Sequence, residues 1–378
     1  MIGNLDHATL QHLWWLIVSV VGALFVFLTF VQGGQTLLLT AARDDVEKKL
    51  MVNSLGRKWE LTFTTLVLFG GALFAAFPLF YATSFGGAYW VWMLILATFV
   101  LQAVSYEFRT KPGNLLGART YEAFMFINGS VGLLLVGTAL GTFFTGASFT
   151  LDDYNRVTWL HSLRGLEAAF SLFNLSMGLF LVFLARVLGA LYLCNHIRHE
   201  DLHERLRRAV VINMAIALPF LLYVLVRLVT MNGFAVDPAS GQVTVESFKY
   251  LNNLLGMPVV LAMLVAGLLL VIAGVVMTGR GRSTRGIWPA GLGTVLTALS
   301  LLLTAGFHGS AFYPSAVDPA SSLTIFNASS SHFTLTAMSY VALAVPFVLA
   351  YIACVWRMMD RRKFTTDDLE SENAKNLY

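Results

Sequence analysis

The sequence predicts an all-α integral membrane protein of about nine transmembrane helices, with its N-terminus outside and its C-terminus in the cytoplasm. Three observations predict it. First, 57% of the 378 residues are hydrophobic and only 12% are charged, where a soluble domain carries about 25% charged residues. Such a chain has too little polar surface to clothe a water-facing exterior. Second, its apolar residues fall in runs long enough to cross a bilayer, which takes roughly 20 residues. Third, Lys and Arg alternate from one side to the other between those runs.

The runs lie at about 12–40, 59–82, 87–108, 120–146, 163–192, 207–230, 254–278, 287–310 and 333–357. Several begin or end at Gly or Pro, as at Gly86–Gly87, Pro258, Pro289 and Pro314. After the first run come Arg43, Lys48, Lys49, Arg57 and Lys58, and after the third Arg109, Lys111 and Arg119. After the fifth come Arg198, Arg205, Arg207 and Arg208, and after the seventh Arg280, Arg282 and Arg285. The last run is followed by Arg357, Arg361, Arg362, Lys363 and Lys375, whereas the opposite loops hold only Arg156 and Lys249. Every odd-numbered run exits into a basic segment, which is the positive-inside pattern. A single miscounted helix would scramble it. Loops near 147–160, 232–250 and 311–332 are therefore expected outside. Residues 1–357 read as one polytopic membrane domain and 358–378 as a charged cytoplasmic tail, in which Thr366-Asp367-Asp368 opens a brief amphipathic helix. No cleavable signal peptide is evident: the first run starts near Leu13, is too long for an h-region and lacks a basic n-region.

Composition excludes several functions. The net charge of +4 sits in short loops and the tail, so it reads as topology rather than nucleic-acid binding. Cys194 and Cys354 fall near cytoplasmic helix ends, where a reducing compartment disfavours a disulfide. There is no P-loop, no GxGxxG after a strand and no GxSxG elbow. Gly70–Gly71 lies inside an apolar run and reads as a close-packing point. The histidines (His7, His12, His161, His196, His199, His203, His308 and His332) all lie at run ends or in loops. No pair sits at mid-membrane depth on facing helices, so a buried bis-His haem is not expected. A single Met ligand is the remaining haem alternative. His196, His199 and His203 are spaced to share a helical face, as a zinc site would need. Among Arg198, Glu200, Asp201, Glu204 and Arg205 they read instead as a solvated, ion-paired face, and no metal site is expected.

Acidic residues near membrane depth are more informative, because charge in lipid is costly. Glu60 opens the second run, Glu107 closes the third and Glu122 opens the fourth, all near the cytoplasmic side. One reading is a proton entry path. The other is ordinary: Glu60 and Glu122 suit helix N-termini, and Glu107 has Arg109 and Lys111 close by. Glu167 with Arg164 reads as a structural pair, and Arg186 and Arg227 as cations that snorkel toward an interface. Trp14, Trp15, Tyr89, Trp90, Trp159, Trp288, Tyr313, Tyr351 and Trp356 cluster where an aromatic belt is expected; stacking on a quinone headgroup is the alternative use.

Several segments together resemble one known family. They are Trp14-Trp15, Met51-Val52-Asn53-Ser54 followed by Trp59-Glu60, Gly70-Gly71-Ala72-Leu73-Phe74-Ala75-Ala76-Phe77-Pro78, and Tyr106-Glu107-Phe108-Arg109-Thr110-Lys111. Asn327-Ala328-Ser329-Ser330-Ser331 with Thr334-Leu335-Thr336 completes the set. In order and spacing, over nearly the whole chain, they resemble subunit II of the cytochrome bd quinol oxidases. The resemblance implies two four-helix bundles plus one peripheral helix, paired with a haem-bearing subunit I. Such a complex oxidises quinol on the outer side and reduces dioxygen to water, with haem b and haem d ligated by subunit I. It implies a location in a bacterial or archaeal plasma membrane and leaves room for small single-helix subunits. In some members subunit II also holds a quinone and supplies acids to a cytoplasmic proton channel. Glu60, Glu107 and Glu122 match acidic positions, the first two usually aspartates. The family's helix-1 Asp-Gly-Phe-Asp is here Gln32-Gly33-Gly34-Gln35, so a titrating role for that stretch is in doubt. Asn327 likewise stands where Asp is common. Two other classes compete: a secondary transporter, for which no paired repeat or charged midplane site is found, and a quinol-handling subunit of another reductase.

Overall fold

The computed structural model describes residues 2–111, 113–237 and 240–370. Among the described residues, nine helices are long and apolar enough to cross a membrane. They are α1 (His7–Leu39), α2 (Asp45–Ala76), α3 (Tyr89–Phe108), α4 (Ala118–Thr145), α5 (Leu172–His196), α6 (Glu200–Thr230), α7 (Pro258–Gly279), α8 (Ile287–Gly306) and α9 (His332–Met359). Each matches one run, with ends moved for local reasons. α2 reaches back to Asp45 because Asp44 caps it, accepting from the Glu47 N–H. It stops at Ala76 because Pro78 follows. The fifth helix starts at Leu172, not 163: Arg164 and Gly165 have φ of 36° and 98°, and left-handed backbone breaks a helix. Residues 249–256 form a separate short helix, and Pro258 opens α7. His308 and Gly309, both with positive φ, end the eighth run early.

Lipid is as apolar as a Leu side chain, so helices in a membrane associate through close packing rather than water exclusion. The central helix is α5, which packs on α1, α4 and α6. Its glycines set the spacing. A Cβ on Gly33 would lie 1.9 Å from the Ala185 carbonyl carbon, and one on Gly189 would lie 2.3 Å from the Gly34 nitrogen. On the other flank a Cβ on Gly137 would lie 2.6 Å from the Gly178 Cα. Backbones therefore touch where α1 and α4 cross α5. α7 packs on α8, and α8 on α1. α9 leans on α1 and α2 by its first half; its second half, Val345–Met359, buries no residue fully and touches the bundle through Trp356, which lies against Phe27, Phe30 and Tyr192.

At the end opposite the basic loops, three antiparallel hairpins form a lid. They pair β1 (Phe149–Leu151) with β2 (Val157–Trp159), β3 (Gly233–Val236) with β4 (Val243–Glu246), and β5 (Ala311–Tyr313) with β6 (Leu323–Thr324). Single bridges from Ala147 to Ser315 and from Ala235 to Ser310 join them. The lid corrects the aromatic-belt expectation. Trp14 donates to the Leu335 carbonyl and Ser339 Oγ, Trp15 to the Leu302 carbonyl and Trp159 to the Thr83 carbonyl. Trp14, Trp15 and Tyr313 are buried: α9 covers Trp14, Phe312 of the hairpin lid packs on Trp15, and Tyr313 lies within the lid against Phe149. Tyr89, Trp90, Trp288 and Tyr351 do lie on the exterior.

The start of the tail is docked at the basic end. Its Phe364 N–H donates to the His196 carbonyl and its carbonyl accepts from Arg198 N–H, at 2.8 and 2.9 Å. The expected short helix follows at Thr366–Glu370. Residues 371–378, including Lys375, lie outside the described residues. Gly189→Leu should cost about 3 kcal/mol or more through overpacking. The expected outcome is a thermal midpoint lowered by several degrees and a reduced yield of assembled protein, whereas Gly71→Ala, which meets nothing within 4 Å, leaves both unchanged.

Candidate functional site

The glycine contact that holds α1 against α5 turns the other face of α1 toward α3 and α4. There the chain buries a run of amides. Gln35 Nε2 donates to the Met125 carbonyl at 2.7 Å and to Asn128 Oδ1 at 2.8 Å. Its Oε1 accepts from Gln102 Nε2 at 2.9 Å and from the Tyr106 hydroxyl at 3.3 Å. Gln32 Nε2 donates to Gln102 Oε1 at 3.2 Å, and Asn128 Nδ2 to Thr98 Oγ1 at 3.4 Å. Gln32, Gln35, Gln102 and Asn128 are each 0% exposed. Gln35 thus uses both its donors and both acceptor positions. This matters because a buried amide without partners costs several kcal/mol in an apolar medium. The π-helical turn Asn128–Gly132 in α4 lies at this point, as such turns often do beside functional groups.

The amide run ends toward the basic loops in an ion-pair hub. Glu122 Oε1 accepts from Arg109 at 2.8 Å (Nη2) and 3.2 Å (Nε). Its Oε2 accepts from Lys48 Nζ at 2.8 Å. Glu122 is 2% exposed and Arg109 5%, so the hub ties α2, α3 and α4 together with little solvent. Two further knots lie at the same end. Lys58 and His196 approach Asp360 Oδ1 at 3.1 and 3.5 Å, and His196 Nδ1 bonds Ser54 Oγ at 2.8 Å. Glu47 accepts from Arg205 and, at 2.7 Å, from the Arg43 N–H.

The three acids singled out in the sequence do not come together. Glu122 is the interior one. Glu60 and Glu107 are exposed on the outside of α2 and α3. Their preceding residues explain the placement: Trp59 and Tyr106 stack inside, 5.7 Å apart and within 4° of parallel, so the next residue on each helix turns outward at the same level. Sequence reasoning missed the partners Gln102, Asn128, Arg109 and Lys48. Two of them were detectable, because Gln102 and Asn128 are bare amides in the middle of otherwise apolar runs.

The histidines are placed apart. His196 ends α5, whereas His199 caps α6 through the Leu202 N–H and His203 bonds the Ile197 carbonyl. The chain breaks between them, so the three do not share a face and their rings serve three different partners. His7 and His332 face each other across α1 and α9 with ring centroids 6.0 Å apart, but each Nε2 is committed to a backbone carbonyl. These residues fit neither a buried bis-His haem nor a zinc centre.

Fold and site together define a polytopic helical subunit whose interior carries polar and ionic groups but no haem-ligating pair among its described residues. The chain belongs to the cytochrome bd terminal oxidase subunit II family, whose model matches residues 10–359. It is 30% identical over 388 aligned positions to the cytochrome bd-I ubiquinol oxidase subunit 2 of Escherichia coli K12, covering 99% of this chain and 100% of that protein. It is 26% identical to the cytochrome bd ubiquinol oxidase subunit 2 of Bacillus subtilis, covering 90% and 93%. Its fold matches the structure of bd oxidase from Geobacillus thermodenitrificans with a TM-score of 0.57 at 12% identity, covering 96% of this chain and 100% of that one. The chain is thus a multi-pass membrane subunit of a haem-based quinol oxidase that reduces oxygen, and it works with a partner subunit I.

Glu122→Gln would leave Arg109 and Lys48 facing a neutral group. A loss of about 3 kcal/mol is expected, since stranding a buried charge typically costs 3–5. In the background Arg109→Met the same change should cost less than half as much, and the coupling is read from thermal unfolding of the four variants.

Proposed function

We propose that this subunit supports the haem-bearing subunit and admits protons from the cytoplasm along the face that carries Glu60 and Glu107. The observation that carries the reading is the outward placement of those two acids at the basic end of α2 and α3. That end faces the cytoplasm, because the Lys and Arg residues gather there. The N-terminus then lies outside, residues 358–378 lie inside, and the hairpin lid caps the outer side.

Two carboxylates on the bundle exterior at membrane depth are stable where a partner or water covers them. A docked subunit I would supply both, placing the route between the subunits rather than through this one. The interior argues the same way. Gln32 and Gln35 do not titrate, and direct hydrogen bonds fill Gln35 completely. Glu122 is held between two cations, which suits an anchor that fixes α3, and with it Glu107, better than a carrier of protons. The family resemblance gives a grouping of α1–α4 and α5–α8 as two bundles with α9 peripheral, and α1, α4, α5 and α8 are then the helices along which the two groups meet.

In the complex, haem b and haem d on subunit I supply the oxygen chemistry. Quinol is the reductant, and a bound quinone or small single-helix subunits are further partners the family reading admits. The complex belongs in the plasma membrane. A secondary transporter is disfavoured by the family match and by the absence of a charged midplane site among the described residues.

Glu60→Gln combined with Glu107→Gln should lower oxygen consumption with quinol at least about a hundredfold, the low end of the range for a positioned proton-transfer group, while haem content per complex stays constant. Unchanged turnover in the double variant would remove both acids from the path. Separately, a cysteine placed at Thr244 should react with an impermeant maleimide added outside intact cells; labelling only after permeabilisation reverses the orientation.

A further inference from the structure

Cations at membrane depth are costly unless they are paired. The most buried ones here obey that rule: Lys58, Arg109 and Lys249 have carboxylates at 3.1, 2.8 and 3.5 Å. Arg186, midway along α5, departs from it. Among the described residues its guanidinium meets only neutral acceptors. Nε donates to Asn213 Oδ1 at 2.7 Å, Nη1 to Thr36 Oγ1 at 2.6 Å and Nη2 to Thr40 Oγ1 at 3.2 Å.

These three bonds hold the group rigidly between α1, α5 and α6. They use three of the five guanidinium N–H groups, so one on each Nη remains for a further acceptor. Two donors on one planar cation suit two oxygens of a single phosphate. The depth is also right. Thr36 lies in the last turn of α1 and Thr40 just past its end, and the next residue, Ala41, accepts from Arg205 through its carbonyl at 2.7 Å. The Arg186 guanidinium therefore reaches from mid-helix to the end of α1, next to the basic loops that positive-inside topology sets at the headgroup level. Thr40 is exposed, so that side of the guanidinium is accessible. Beside it the surface is apolar: Leu39, Ile212 and Ile216 are 49%, 57% and 40% exposed, and the two isoleucines flank Asn213 on α6.

We propose that Arg186, positioned by Thr36, Thr40 and Asn213, binds the phosphate of an anionic phospholipid in the leaflet at the basic end, with an acyl chain lying along Leu39, Ile212 and Ile216. An anionic lipid would neutralise the Arg186 charge, which meets only neutral acceptors among the described residues. A zwitterionic lipid brings its own cation and leaves that charge uncompensated. Arg205, which bonds the neighbouring Ala41 carbonyl, is already balanced by Glu47.

The test is native mass spectrometry of the intact oxidase complex, delipidated in mild detergent and titrated with phosphatidylglycerol or phosphatidylcholine of the same acyl chains. The wild type should prefer phosphatidylglycerol by about fivefold, the scale of one basic residue at a membrane surface. Arg186→Gln should abolish the preference, and Arg186→Lys, which keeps charge and fold but loses the fork, should reduce it. Millimolar inorganic phosphate should not displace the lipid. Equal binding of both lipids to the wild type, an undiminished preference in Arg186→Gln or Arg186→Lys, or displacement by inorganic phosphate would each overturn the assignment. If Arg186→Gln does not assemble, Arg186→Lys decides the matter alone.

Discussion

The architecture depends on one contact, the meeting of backbones at Gly33, Gly34 and Gly189. There is no room at that crossing for a Cβ, so α1 and α5 lie as close as two helices can. Two consequences follow. One side of α1 is sealed against α5, which forces Gln32 and Gln35 to the opposite side, toward α3 and α4. In addition, Arg186 is pressed beside the end of α1, where only its long side chain can reach Thr36 and Thr40. The interior amide run and the peripheral cation are thus both set by the same small residues.

The polar groups divide by what surrounds them. Inside, Glu122, Glu47 and Asp360 each have a counter-charge, and Gln35 bonds its neighbours directly with all its donors and acceptors. Burial in a low-dielectric medium makes anything less costly. Outside, Glu60 and Glu107 have no ion pair among the described residues and are open to water or a partner. A subunit built this way is rigid within and reactive only at its face, which suits a companion to a haem protein. On the proposed reading, subunit I carries the redox chemistry, and this chain offers shape, anchoring and acids at the seam.

Much of this was legible in the sequence. Nine apolar runs and an alternating basic pattern set the helix count, because lipid allows few other solutions for a chain so poor in charge. The short tail helix followed from Thr366-Asp367-Asp368, a local capping signal. Other features depended on tertiary packing. The 163–171 stretch is apolar enough to read as helix, yet Gly165 and Arg164 adopt left-handed backbone and stop it. Trp14 and Trp15 look like belt residues until α9 covers the first and the hairpin lid, made from three separated loops, covers the second. Glu60, Glu107 and Glu122 look equivalent along the chain. Only the Trp59–Tyr106 stack separates the two outer acids from the inner one. The histidine triplet looks helical by spacing, but the chain breaks at Ile197–His199. Gln102 and Asn128 were visible as isolated amides in apolar runs, although nothing local named their partners.

The central claim is that this chain is the non-haem companion of a haem-bearing oxidase subunit. The most direct measurement is a dithionite-reduced minus oxidised absorbance spectrum of material purified from native membranes through a tag on this chain. The account predicts a second, similarly sized subunit in the preparation, with bands of b-type and d-type haem and quinol-dependent oxygen consumption. A colourless preparation containing this chain alone, from membranes in which it is fully assembled, would contradict it.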